Sequence, residues 1–164
     1  MKNLRKSGLA ALGIFTLLLA ACGWRLQGSA KLSERMASTF IETEDRYTDF
    51  NRALREALRA SGARLANRPD EATAIVKIID DVSGQYVLSV SARNTPEEYE
   101  VFYTVKYSVS SGGEELISPQ KIELTRDYSY DETAALAKQR ESAVLREALA
   151  RDLAALVLRR LSAL

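Results

Sequence analysis

The chain has 164 residues, enough for one compact domain and too few for two ordinary ones. Its 23 Lys and Arg against 22 Asp and Glu leave a formal charge of +1, which argues against a nucleic-acid binder with a one-sided basic surface. Histidine is absent and there is a single cysteine, which excludes Ser-His-Asp and Cys-His nucleophile arrangements, an internal disulfide and a cysteine-built zinc site.

No carboxylate pair stands in a setting that would raise its pKa for acid–base work, so neither an enzyme nor a metal site is expected. The chain opens with a basic segment, Lys2, Arg5 and Lys6. An apolar run from Leu9 to Ala21 follows, shorter than the roughly 20 residues a membrane-spanning helix needs. It closes on Leu19-Ala20-Ala21-Cys22, the order of a lipobox. Residues 1–21 therefore read as a cleaved lipoprotein signal peptide, and the Cys22 thiol as the acceptor of a diacylglycerol group. That covalent lipid is the only prosthetic group expected. Each buried methylene of an acyl chain contributes about 0.8 kcal/mol, so several chains hold a protein on a bilayer. Gly23, rather than an Asp, after the cysteine favours the outer membrane. Without Lys2, Arg5 and Lys6 the charges are 20 basic against 22 acidic, or −2.

Residues 22–33 read as a lipidated lead and 34–164 as a single domain. A first strand is expected over Met36–Glu42, centred on Phe40 and Ile41. A helix follows over Thr48–Ser61, with Tyr47, Phe50, Leu54, Ala57 and Leu58 on its apolar face. Thr48 or Asp49 caps it, Gly62 ends it, and Arg52, Arg55, Glu56 and Arg59 fall on the wet side. Asn67–Asp70 is a turn on Pro69. Ala74–Val90 reads as a long strand with a bulge or bend at Gly84. Arg93 to Pro96 forms a hairpin loop. Tyr99, Val101, Tyr103, Val105, Tyr107 and Val109 then alternate with mostly polar residues, the pattern of a half-buried strand. Gly112 and Gly113 turn the chain into another strand, Lys121–Tyr130. A long helix closes the domain over Asp131–Leu161, with Asp131 as N-cap. Leu136, Val144, Leu145, Ala148, Leu149, Leu156, Val157 and Leu161 form its apolar stripe, and Glu147 and Arg151 an i, i+4 pair. The order β-α-β-β-β-α predicts an α+β two-layer sandwich: a four-stranded mixed sheet with two helices packed on one face. Tyr99, Tyr103 and Tyr107 belong to its core. Phe102, on the opposite face, reads equally as an ordinary exposed aromatic and as a side chain that packs on a partner.

Several motifs resemble one family. Cys22-Gly23-Trp24 with Leu26 and Gly28 resembles its mature N-terminus. Tyr128-Ser129-Tyr130-Asp131, Leu136-Ala137-Lys138, Leu145-Arg146-Glu147 and Leu158-Arg159-Arg160-Leu161 resemble its C-terminal helix. The family is the lipopolysaccharide-assembly lipoprotein LptE, also called rare lipoprotein B. The resemblance implies a non-enzymatic outer-membrane lipoprotein that plugs the LptD β-barrel from the periplasmic side, assists its folding and helps deliver lipopolysaccharide to the outer leaflet. It also implies lipopolysaccharide binding through Arg93 and Lys138. A phosphate-bearing ligand suits Arg as a bidentate donor and Lys as a point charge. Arg93 reads equally as a solvated turn charge and Lys138 as a solvated helix charge. The competing reading of the whole chain is a periplasm-facing adaptor or cell-wall-binding lipoprotein.

Overall fold

The computed structural model of the protein describes residues 32–164, so the signal peptide, Cys22 and nearly all of the 22–33 lead lie outside the described residues. A 3-10 turn, Glu34–Met36, drops the Met36 side chain into the core and leads into β1, Ser38–Glu42. Helix α1 spans Asp49–Ala60. Its N-cap is Thr48, whose Oγ1 accepts from the Asn51 N–H at 3.1 Å, satisfying a donor that no preceding helical turn can reach. Gly62, at φ +89°, takes the left-handed position that stops the helix. Phe50, Leu54 and Leu58 are buried beneath α1. Tyr47 does not join them and is 92% exposed. It precedes the extended Thr48 cap, where the helical period has not begun.

A strand of two residues follows, β2, Arg64–Leu65. Ser38 and Thr39 of β1 pair with it in parallel. The sheet therefore has five strands, one more than predicted. Two residues carry no period to read in a sequence; only the partner strand defines them. The rest is a meander of β3 (Ala74–Val90), β4 (Pro96–Ser111) and β5 (Glu114–Ser129), giving the order β2-β1-β3-β4-β5. β1 is parallel to β2 and β3, and the remaining pairs are antiparallel. Thus β1 lies inside the sheet, and the α1 crossover carries the chain from it to β2.

The second helix, α2, runs over Ala135–Leu161. Asp131 caps a preceding 3-10 turn (Glu132–Ala134) rather than the helix itself, accepting from the Thr133 N–H at 2.9 Å. The two helices pack on each other and cover one sheet face. Val101, Tyr103, Val105, Tyr107 and Val109 of β4 point into that core, as alternation predicts. Tyr99 packs at its margin.

The stripe on α2 is shorter than predicted. Leu149, Ala150, Leu153, Ala154, Val157 and Leu161 are buried, whereas Leu136 and Val144 are 76% and 61% exposed. Asp49, the first residue of α1, pairs with Arg146 at 3.3 Å. Helix α1 has 12 residues and α2 has 27, or about 18 Å against about 40 Å at 1.5 Å per residue. The first turns of α2 thus run past the end of α1 with no helix beside them. The predicted ion pair of Glu147 with Arg151 is present at 2.7 Å.

The irregularity in β3 also moves. Two of its register shifts lie near its end, between Val87 and Ser89 and between Ser89 and Val90; the first falls at Ile79, between the Ile78–Tyr107 and Asp80–Lys106 pairs. Before it, Ala74, Val76 and Ile78 face the core. After it, the residues paired with core-facing Tyr103 and Val101 are Ser83 and Gln85. One inserted residue exchanges the two faces of the strand, so Val82 and Tyr86 turn to the uncovered face, where both are exposed. Gly84 is in register opposite Phe102, and its role is space. A Cβ there would lie 2.8 Å from two Phe102 ring atoms. The Phe102 ring stacks on Tyr86, with centroids 5.3 Å apart. Gly84→Ala is therefore expected to destabilise by about 1 kcal/mol, rather than give the gain that Gly→Ala brings at an unhindered site. In a Phe102→Ala background the loss should vanish. Denaturant unfolding of the four proteins reads this, and an equal Gly84→Ala effect in both backgrounds would refute the contact.

Candidate functional site

The register of the meander builds a cleft at one end of the sheet. Tyr99 pairs with Tyr128 across β4 and β5, and their rings stack at 5.7 Å. Tyr130, held by its N–H donating to the Glu97 carbonyl at 2.7 Å, meets Tyr99 edge-on at 5.2 Å. Gln85 joins three elements: its Oε1 accepts from the Tyr128 hydroxyl at 3.1 Å and from Ser142 Oγ on α2 at 2.7 Å. Lys138, from the first turn of α2, closes the cleft. Its ammonium lies 6.0 Å from the Tyr128 ring centroid and 2.8 Å from Glu141 Oε2. The cleft has a volume of about 220 Å³ and is lined by these residues and Gln139.

This arrangement gives Lys138 a specific setting. Its side chain is 18% exposed, with the stem covered and the head at the cleft mouth. The aromatic face below it favours a cation. Asp131 lies at the same corner. The Thr133 hydroxyl and then the Thr133 N–H hold its carboxyl below the ordinary aspartate value, with a further contribution from the Lys138 charge. Three tyrosine rings, one ammonium and the amides of Gln85 and Gln139 can hold an anionic, hydroxyl-rich group.

Arg93 lies on the β3–β4 turn at the same end of the sheet. Its N–H donates to Ser91 Oγ at 3.2 Å, and neighbouring Asn94 adopts φ +59°. Its side chain is exposed and does not line the cleft. Tyr99 pairs with Val87, so the turn begins three residues further along β3, about 10 Å at 3.3 Å per residue. The fold thus places Arg93 and Lys138 at one end, with the arginine beyond the cleft. Cys22 lies outside the described residues. The sequence reading singled out Lys138 but not Gln85, Tyr130 or Ser142 beside it. The signal available was Tyr128-Ser129-Tyr130 preceding the helix; the contribution of Gln85 depends on the Ile79 bulge.

The fold and this cleft define a class: an α+β sandwich, two helices on one face of a mixed sheet, with a lysine and three tyrosines meeting at one end. The profile of the family described as LptE, lipopolysaccharide-assembly, matches residues 36–161, and the chain belongs to that family. Its role is therefore in lipopolysaccharide assembly. Among similar proteins is the LPS-assembly lipoprotein LptE of Yersinia enterocolitica, 29% identical over 145 residues, covering 88% of this chain and 69% of that protein. Another is its namesake in Pectobacterium atrosepticum, 26% identical and covering 92% and 82%. The crystal structure of rare lipoprotein B from Shewanella oneidensis superposes with a TM-score of 0.67 at 28% identity, covering 77% of this chain and 94% of that one. The solution structure of lipoprotein B from Nitrosomonas europaea gives 0.71 at 26% identity, covering 86% and 91%.

Proposed function

We propose that the protein is an outer-membrane lipoprotein, anchored through lipid on Cys22, that plugs the LptD β-barrel from the periplasmic side. In that position it assists folding of the barrel and takes part in passing lipopolysaccharide to the outer leaflet. It works by binding rather than by catalysis. The observation that carries the ligand part of this reading is Lys138, part-covered above Tyr128 at the mouth of a tyrosine-lined cleft. A lipopolysaccharide phosphate would take the place of the Glu141 carboxylate on that ammonium, and Arg93 would meet a second anionic group beyond the cleft. The uncovered sheet face, with Val82, Tyr86 and Phe102, supplies apolar and aromatic surface suited to a barrel wall.

Affinity purification of the tagged, lipidated protein from outer membranes in mild detergent is expected to recover a β-barrel of LptD size in stoichiometric amount. Recovery alone, or with cell-wall material, would move the protein to the adaptor reading. The Arg93→Asp, Lys138→Asp double variant is expected to weaken lipopolysaccharide binding by about tenfold or more, the scale of losing charge-assisted contacts. Its thermal midpoint should stay near that of the parent. Unchanged lipopolysaccharide binding by the folded double variant would rule out this site.

A further inference from the structure

The ammonium at the mouth of the cleft already has an occupant. Lys138 Nζ lies 2.8 Å from Glu141 Oε2, one turn further along α2. The two partners are held unequally: the lysine side chain is 18% exposed and that of Glu141 is 45% exposed. In every other ion pair among the described residues the cation is at least 43% exposed. Glu141 does not line the cleft, and the walls are joined without it. Gln85 accepts from the Tyr128 hydroxyl and from Ser142 Oγ, while Tyr99 stacks on Tyr128 and meets Tyr130 edge-on.

That inequality decides which partner can leave. A carboxylate on a water-facing stem gives up an ammonium at little cost, because an ion pair open to solvent gains little over its hydrated ions. The ammonium cannot follow, since its stem is covered and the Tyr128 ring lies 6.0 Å from it. Asp131 takes a further share of the lysine charge, which adds to the two Thr133 hydrogen bonds that keep this carboxyl low. A visiting carboxylate would therefore exchange one single charge for another and gain nothing. A phosphoryl group carries a charge of about −1.5 to −2 at neutral pH and three acceptor oxygens. It gains over the carboxylate it displaces.

We propose that Glu141 is the specificity-determining residue of the cleft, an internal carboxylate on Lys138 that a phosphoryl group displaces and a ligand carboxylate does not. This rests on the reading that the cleft binds lipopolysaccharide. Glu141 swings into solvent, phosphoryl oxygens take its place on Lys138 Nζ, and the tyrosine rings stay where they are. With Glu141 in place the site is closed to sugars whose only charge is a carboxylate.

The test is equilibrium binding of fluorescently labelled lipopolysaccharide to the full-length, lipidated protein in neutral detergent at low salt, with thermal midpoints recorded for every variant. Glu141→Gln should bind about threefold to tenfold tighter than the parent, and Lys138→Gln about tenfold weaker. In the Lys138→Gln background, Glu141→Gln should change nothing. Glu147→Gln, which removes the same charge further along α2, should bind as the parent does. Glucose 1-phosphate and glucuronate then compete for the site, one bearing a phosphoryl group and the other a carboxylate. Glucose 1-phosphate should displace the label from the parent at about tenfold lower concentration than glucuronate, and in Glu141→Gln the two should come within about threefold. Parent-like affinity in Glu141→Gln, with the loss in Lys138→Gln retained, would overturn the role of Glu141 and leave the cleft as the lipopolysaccharide site. Affinity indifferent to Lys138→Gln would overturn both. Equal tightening by Glu147→Gln would assign the gain to net charge and overturn the proposal. Glucuronate competing as well as glucose 1-phosphate against the parent, or neither competing, would also overturn it.

Discussion

Shortening Leu153 to alanine is expected to cost about 2–5 kcal/mol, whereas Leu136→Ala should stay within about 0.5 kcal/mol of the parent. Both are leucines on α2, and both have the spacing of an apolar stripe. Leu153 is fully buried in a core that also contains Phe50, Leu54 and Tyr107. Its truncation removes transfer free energy and leaves a cavity that close-packed neighbours cannot fill. Leu136 stands three-quarters exposed on the part of the helix that projects past α1, so its truncation empties nothing. Urea unfolding of the three proteins reads the difference directly. Equal losses would mean that the first turns of α2 are packed, and that the short reach of α1 does not limit the core.

The second large effect concerns the tie between sheet and helix. The Tyr103 hydroxyl accepts from the Phe50 N–H at 3.1 Å and donates to Asp81 Oδ1 at 2.8 Å. Thr48 Oγ1, the helix cap, donates to the other Asp81 oxygen at 2.5 Å. One carboxylate and one phenol thus fix the first turn of α1 over β3 and β4. Tyr103→Phe leaves a buried N–H and a part-buried carboxylate each short of a partner, and is expected to cost about 1–3 kcal/mol. Chemical denaturation at neutral pH checks it, and an unchanged midpoint would show that the hydroxyl carries no structural load.

The same group sets a pH dependence. Burial raises the Asp81 carboxyl above its ordinary value, outweighing the opposing hydrogen bonds from Thr48 and Tyr103; the charges of Asp45 and Asp49 add to the rise. The folded protein therefore binds this proton more tightly than the unfolded chain. Its contribution to stability is greatest below the unfolded pKa of about 4 and is lost as pH rises through the higher folded value. Asp81→Asn should flatten that part of the stability–pH curve. A curve unchanged by the substitution would assign the dependence to another group.

Particular residues show what could be read locally. Thr48 and Gly62 bounded α1 because capping needs only a few neighbouring residues, and Tyr99 to Val109 declared a half-buried strand by alternation alone. The resemblance of the Leu-Ala-Lys segment singled out Lys138, and Arg55 reads only as a charge on the wet side of a helix. The rest required partners. β2 exists because Ser38 and Thr39 give two residues something to pair with. The Ile79 bulge sends Val82 and Tyr86 to the uncovered face and brings Gln85 to Lys138, though nothing in the strand's composition marks that position over Gly84. The apolar spacing of α2 is continuous, but burial stops where α1 stops. The sequence by itself determined element type, the cap and stop of α1 and the α+β class, because these depend on periods and contacts within a few residues. The tertiary structure alone decided which face of each element is covered and which charges converge, because those depend on the length and register of neighbours distant in the chain.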